Sequence, residues 1–298
     1  MKNIERIIGT YDSGNKGALL FITAGIHGNE PSGVYALQRV FEILEAEKPT
    51  IQGKVMGVVG NKEALKRQVR FIDEDLNRTW TAENIASAAK DSKEKKEMFE
   101  IIDILNEYPK NAFTKRYFLD CHTTSAASEP YISVQNVNDN DTWAHKFPTY
   151  IIRGFSDIVE GCIDHYKSRI GMTGFVFEGG QHDSPESIEH HEGIIWLALQ
   201  HACGLNLDAL KNYPEAAVTL ENKRKNQKTF EIEYRHEIKK NDTFKMADGY
   251  VNFQKINEGD LLATHNGKQI YSKWNAHIFM PLYQSQGNDG FFVVRQVS

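Results

Sequence analysis

Residues 18–31 read Ala-Leu-Leu-Phe-Ile-Thr-Ala-Gly-Ile-His-Gly-Asn-Glu-Pro. The first seven form a short apolar and β-branched run, the pattern of a buried strand. A tight loop with glycines follows, then Pro31, a residue suited to the first turn of a helix. From Pro31 to Ala46 the apolar residues Val34, Leu37, Val40, Phe41 and Leu44 recur at helical spacing. A buried strand feeding a helix is the repeating unit of an α/β sheet, so this stretch sets the expected fold class.

The alternation continues outward. Lys54–Val59 reads as the next strand, and Lys93–Tyr108 as a helix with Met98, Ile101, Ile102 and Leu105 inward. Tyr117–Cys121, Ile132–Gln135, Thr149–Ile152 and Gly174–Phe177 read as strands, and Ser187–Cys203 as a helix striped by Ile188, Ile195 and Leu199. We therefore expect an α/β domain over residues 1–215, with a mixed, largely parallel sheet flanked by helices. The pattern changes past a linker at Asn212–Asn226. Thr229–Glu237, Asp260–Thr264, Gln269–Ser272, His277–Phe279 and Gly290–Gln296 are strand-like, separated by turns such as Asp248-Gly249, Glu258-Gly259 and Asn266-Gly267. Residues 216–298 read as a small all-β domain.

Composition narrows the function classes. The chain has 298 residues, 40% of them hydrophobic, enough for a sizeable core. Lys and Arg number 35 against 40 Asp and Glu, a net charge of −5, which disfavours a general nucleic-acid binder. No apolar run approaches the roughly 18 residues of a membrane span; Ile194–Leu199 is typical of the longest. Met1–Ser13 has no apolar core of a signal peptide, so a cytoplasmic protein is expected. Cys121, Cys162 and Cys203 form no paired motif and read as reduced thiols.

Four clusters carry chemistry. His27 and Glu30 lie in the loop after residues 18–24, where α/β sheets place their sites. Imidazole nitrogen and carboxylate oxygen suit zinc, although a solvated histidine beside a helix-start glutamate would show the same spacing. Asp120-Cys121-His122-Thr123-Thr124 ends another strand, bringing His122 to the same edge. Two histidines and a glutamate leave a fourth position for water or substrate, as a catalytic zinc requires, and Asp120 is placed to orient a ligand. Arg70 to Arg78 holds two arginines, Asn77 and three carboxylates, read either as an anion-binding segment or as a charged surface loop. Glu178 ends an apolar strand before Gly179-Gly180, where partial desolvation raises a carboxyl toward the range useful for proton transfer. His190 and His191, adjacent on one helix, face different directions and do not suggest a second metal site. His182 reads as a loop residue able to line a pocket, Cys121 as core, and Lys90–Lys96 as an exposed helix start.

Taken in order, GIHGNE (25–30), Asn61-Lys62-Glu63-Ala64, RFIDEDLNR (70–78), DCHTTS (120–125) and the strand ending in Glu178 resemble the succinylglutamate desuccinylase and aspartoacylase family, a branch related to the zinc carboxypeptidases. The resemblance spans most of the chain. It implies one zinc per chain on His27, Glu30 and His122, Glu178 as general base and acid, and Arg70 polarising the scissile carbonyl. It implies that Asn77 and Arg78 hold a substrate carboxylate, and that Arg169, with Tyr166 nearby, grips an acidic side group. The family supplies a tyrosine near its C-terminus, whereas Phe291-Phe292 stand here with Tyr283 upstream, so the acyl group is not specified. The implied activity is hydrolysis of the amide bond of a small acidic N-acyl amino acid, with no nucleic-acid or membrane partner and, by analogy, a homodimer. The C-terminal β domain is then expected to cover the mouth of the site. A carboxypeptidase or cell-wall amidase, and a zinc-bound protein without turnover, are the competing readings; a narrow arginine-lined pocket favours the deacylase, an open cleft the peptidase.

Overall fold

A computed structural model describes residues 4–155 and 157–298; the first three residues of the Met1–Ser13 stretch lie outside them. Along the chain run β1 (Ile7–Asp12), β2 (Ala18–Ala24), α1 (Ser32–Glu47), β3 (Gly53–Val59), α2 (Lys62–Arg67), α3 (Ala82–Ser87), α4 (Lys93–Asn106), β4 (Arg116–Thr124) and β5 (Tyr131–Val134). There follow α5 (Asn140–Ala144), β6 (Tyr150–Arg153), α6 (Ile163–Arg169), β7 (Thr173–Gln181), α7 (Pro185–Cys203) and α8 (Glu215–Glu221). Strands β8 (Thr229–Glu237), β9 (Phe244–Met246), β10 (Lys255–Ile256), β11 (Leu261–His265), β12 (Lys268–Tyr271), β13 (Ala276–Phe279) and β14 (Asp289–Gln296) complete it.

All seven residues of β2 are buried, and both its neighbours, β3 and β4, run parallel to it. Its side chains alternate between two covered faces. Leu20 and Ile22 pack with Leu37 and Phe41 of α1 and Ile195 and Leu199 of α7. Leu19 and Phe21 pack on the other face with Met98 and Ile101 of α4, Trp80 and Phe118. At ~1.5–3 kcal/mol per buried large apolar side chain, these two layers fix the strand in the middle of the sheet. Helix α1 lies close because Gly33 has no side chain: a Cβ there would meet the Cβ of Cys121 at 2.6 Å. Cys121 is core, on the α1 side of β4.

The main sheet has the order β1-β3-β2-β4-β7-β5-β6-β8-β14-β13-β10, and a second sheet the order β12-β11-β9. The chain is thus mixed α/β, with a small separate antiparallel sheet. The main sheet runs on past the expected boundary at 215/216: β8 pairs parallel with β6, Ile151 opposite Thr229. The sequence had suggested neither β1 nor α6, and it ended β7 at Phe177, whereas the strand continues through both glycines to Gln181. Among the described residues no helix is long and apolar enough to cross a membrane. Because β2, β4 and β7 are parallel, their C-terminal ends reach the same edge of the sheet.

Candidate active site

At that edge the loop after β2 turns back on α2 and the 70–78 segment. Gly28 makes the turn possible: a Cβ would sit 2.0 Å from the carbonyl carbon of Ala64, and its N–H donates to the Arg70 carbonyl at 3.2 Å. The turn brings His27 Nδ1 to 2.8 Å from Glu30 Oε1, while His122 Nδ1, from β4, lies 3.1 Å from Glu30 Oε2. The far nitrogen of each ring meets a second carboxylate. His27 Nε2 is 3.0 Å from Asp75 Oδ1, and His122 Nε2 is 2.9 Å from Asp120 Oδ2. Ionised Asp75 and Asp120 only accept, so each Nε2 carries its proton and each Nδ1 turns inward.

The inward atoms of His27, Glu30 and His122 lie within 4.8 Å of one another, and all three residues are buried. Two imidazoles on one buried carboxylate need positive charge between them, as protons or as a metal ion. The charges show the same demand. Against its burial, the His27 and His122 rings hold the Glu30 carboxyl well below its usual value. Against the same cost, Asp120 and Glu30 hold the His122 imidazole well above its usual value. Asp75 is likewise held well below, by Arg70 and His27 against burial. The donor set and its supporting carboxylates fit a divalent cation.

Beside this cluster the β4–β7–β5 register sets one row. His122 stands opposite Glu178, and Glu178 opposite Tyr131. Burial pushes the Glu178 carboxyl up to about 8, the nearby His122 opposing and Glu30 adding. Among the described residues, neither Glu178 Oε2 nor the Tyr131 hydroxyl has a hydrogen-bond partner. Arg70 reaches the same space, with Nη2 3.0 Å from Asp75 Oδ2 and Nη1 3.5 Å from Glu30 Oε1. Arg78 is tied to Asp289 at 3.2 Å, and the Asn77 Oδ1 accepts from the Ile163 N–H at 2.9 Å. His27, Glu30, His122, Glu178, Tyr131, Arg70, Asn77, Arg78 and Asp289 line one cavity, together with Phe279, Met280, Leu282 and Gln284.

Seven of the nine expected site residues therefore share the cavity; Arg169 and Tyr166 do not. Arg169 Nη2 donates to the Trp80 carbonyl at 2.8 Å, and the Tyr166 ring packs 5.4 Å from the Trp80 ring. The two share one face of α6, and the ~100° step per residue turns that face away from Asp164, which does line the cavity. Arg70 and Arg78 are the only Arg or Lys side chains in the described lining. His182 joins the wall, between Thr123 Oγ1 at 2.8 Å and Gln284 Oε1 at 3.1 Å. His190 and His191 are each bonded to a backbone carbonyl, of Gly179 and Ser187. The sequence reading missed Tyr131, whose place depends on strand register. It also gave no role to Asp75, although the 70–78 segment contains it.

Fold and site define a class: an α/β protein whose sheet edge carries a buried His-Glu-His cluster able to hold a metal ion, beside a buried carboxylate. The model of the succinylglutamate desuccinylase/aspartoacylase catalytic domain matches residues 16–173, more than half of the chain, and the chain belongs to this family. A succinylglutamate desuccinylase of Pseudomonas paraeruginosa is 35% identical over 66 residues, 22% of this chain. That alignment spans 20% of the desuccinylase, about a fifth of its length. An N-acyl-aromatic-L-amino acid amidohydrolase (carboxylate-forming) of Xenopus tropicalis is 25% identical over 273 residues, covering 84% of this chain and 85% of that protein. The crystal structure of the Chromobacterium violaceum succinylglutamate desuccinylase superposes with a TM-score of 0.67 at 14% identity, over 97% of this chain and 88% of that one, a likeness of fold.

Proposed function

We propose that the protein is a metal-dependent hydrolase that cleaves the amide bond of an N-acyl amino acid. The observation that carries the reading is the row His122–Glu178–Tyr131: a buried carboxyl, one oxygen of which has no partner among the described residues, stands next to a His-Glu-His cluster in one cavity. His27 Nδ1, Glu30 and His122 Nδ1 would hold one divalent ion, zinc by donor type. Once bound, that ion supplies Lewis acidity, lowering the pKa of water and polarising a carbonyl.

The chain's own groups do the rest. Glu178 accepts the proton of the attacking water and passes it to the departing nitrogen. Arg70, steadied by Asp75, offers its guanidinium to the carbonyl oxygen as negative charge builds there; a donor of this kind is worth ~10²–10³ in rate. Arg78 and Asn77 hold the substrate carboxylate. Residues 216–298 act as a cover over the mouth, with the Phe279–Asp289 segment contributing the roof. The roof suits a small molecule better than a polypeptide. The family resemblance implies a small acidic substrate; of the arginines it names, Arg70 and Arg78 line the cavity.

The test is an assay of metal-analysed protein against N-acetyl, N-formyl and N-succinyl amino acids, with Glu178→Gln alongside. We expect about one zinc per chain, release of free amino acid, and a loss of ~10²-fold or more in the variant. Metal-replete protein that turns over peptides and none of these substrates would sink the reading.

A further inference from the structure

The cavity continues below the reacting row, and its floor has a definite chemistry. One step down the same face of the sheet from His122, Glu178 and Tyr131 come Asp120, Val176 and Ser133, paired in the same register. Each step is roughly 7 Å along the strands. Below Ser133 lies Gln135, just past the end of β5, and opposite it Asp164, from the first turn of α6. Ser133, Gln135, Cys162 and Asp164 all line the cavity.

Asp164 is only 7% exposed, and what it exposes faces this space. The Gln135 amide donates to one of its oxygens. Among the described residues no Lys or Arg pairs with it. Lys167, one turn on, is fully buried and gives its ammonium instead to Thr23 Oγ1 at 2.6 Å, between the rings of Phe21 and Phe118. A carboxylate this deep without a paired cation is expensive unless a ligand brings the charge. Burial pushes the Asp164 carboxyl up, with the neighbouring His165 ring and the Gln135 amide opposing.

Two occupants would satisfy it. Cys162, Asp164 and His165 bring ligand atoms within 4.8 Å, which invites a second metal. The Arg78 guanidinium lies 3.7 Å from Cys162 Sγ, however, and a fixed positive charge beside that sulfur opposes a metal ion there. The other occupant is an organic cation. Arg78 Nη1 lies 3.7 Å from Cys162 Sγ, so the arginine assigned to the substrate carboxylate and the Asp164 carboxylate flank the same thiol. Carboxylate and cation would then belong to one part of the substrate, its amino acid.

We propose that this end of the cavity selects N-acyl amino acids whose side chain ends in a protonated amine, with Asp164 as the specificity-determining residue. The proposal rests on the deacylase reading for the reacting end. It replaces the acidic substrate class with a basic one.

The test compares Nα-acetyl-L-lysine and Nα-acetyl-L-ornithine with Nα-acetyl-L-norleucine and Nα-acetyl-L-glutamate on zinc-loaded enzyme. We expect kcat/KM for an amine substrate to exceed that for norleucine by about 10²-fold, with glutamate lowest. In Asp164→Asn the lysine-to-norleucine ratio falls by about the same factor. Thermal unfolding with free L-lysine or L-norleucine gives a readout without turnover: lysine raises the midpoint of the parent protein and not of the variant. Should the variant not fold, the parent's own substrate ranking decides. Norleucine or glutamate ahead of the amines would overturn the Asp164 assignment and leave the deacylase reading standing. No turnover of any substrate, with an Asp164-dependent lysine shift, would overturn the deacylase reading and leave the cation subsite. Neither turnover nor shift overturns both. Two bound metals, falling to one in Asp164→Asn, would assign the site to a metal instead.

Discussion

Tyr131 places a polar group in the wall of the cavity. Its hydroxyl is shut from water, opposite Glu178, with no partner among the described residues, and an unmade buried hydrogen bond costs ~1–3 kcal/mol. Tyr131→Phe should therefore keep or raise the unfolding midpoint while lowering kcat. A variant that is destabilised and fully active would make Tyr131 a structural residue. Burial holds the His191 imidazole neutral to lower pH than an exposed histidine. Burial against α1 and β7 lowers its imidazole to about 4, so between there and the ordinary ~6.5 the unfolded chain binds a proton that the folded chain refuses. Its contribution makes stability fall as pH drops through that window, by about 3 kcal/mol in all. NMR of labelled histidine should find His191 still neutral at pH 5; protonation near 6.5 would contradict the burial argument. His27, Glu30, His122 and Glu178 were legible because each sits in a short local pattern at a strand end. Tyr131, Asp75 and Asp164 were not, since their partners lie on other elements and only register or helix phase brings them in.

Helix α4 does more than cover the sheet. Glu94, in its first turn and fully buried, accepts from the backbone N–H groups of Ile72 at 2.8 Å, Asp73 at 3.1 Å and Glu74 at 3.3 Å. It also accepts from Asn61 Nδ2 at 2.9 Å. One carboxylate thus shapes the stretch that carries Arg70 to Glu30 and Asp75 to His27. Glu94→Gln turns an amide N–H toward backbone donors. We expect a loss of about 1–3 kcal/mol in urea unfolding, together with weaker metal retention against a chelator. A stability loss with metal affinity unchanged would limit Glu94 to a folding role. The long periodic elements α1, α4 and α7 were readable from spacing, and β8 even to its bounds. Helix α6, seven residues long, carries too little periodicity to show its face, so the resemblance that points to Arg169 and Tyr166 has no helix phase to check it against.

At the scale of the molecule, the continuous sheet decides which pieces stand alone. Strand β8 covers the edge of β6, and Phe230, Phe279, Phe292 and Val294 pack on Tyr131 and Ile152 from across the 215/216 boundary. A chain ending at residue 215 leaves that edge and that apolar face bare. It should aggregate on expression, whereas a soluble, metal-binding 1–215 fragment would show that the first part folds by itself. Asp289 extends the dependence to the cavity, since it pairs with Arg78 at 3.2 Å and Arg235 at 2.6 Å. Arg78 and Asp289 are 211 positions apart in sequence. On a ribosome adding ~5–20 residues per second, the histidines and arginines of the first half must wait through most of translation for the strand that closes over them. During that interval the apolar face that Phe230, Phe279, Phe292 and Val294 later cover stays open to solvent.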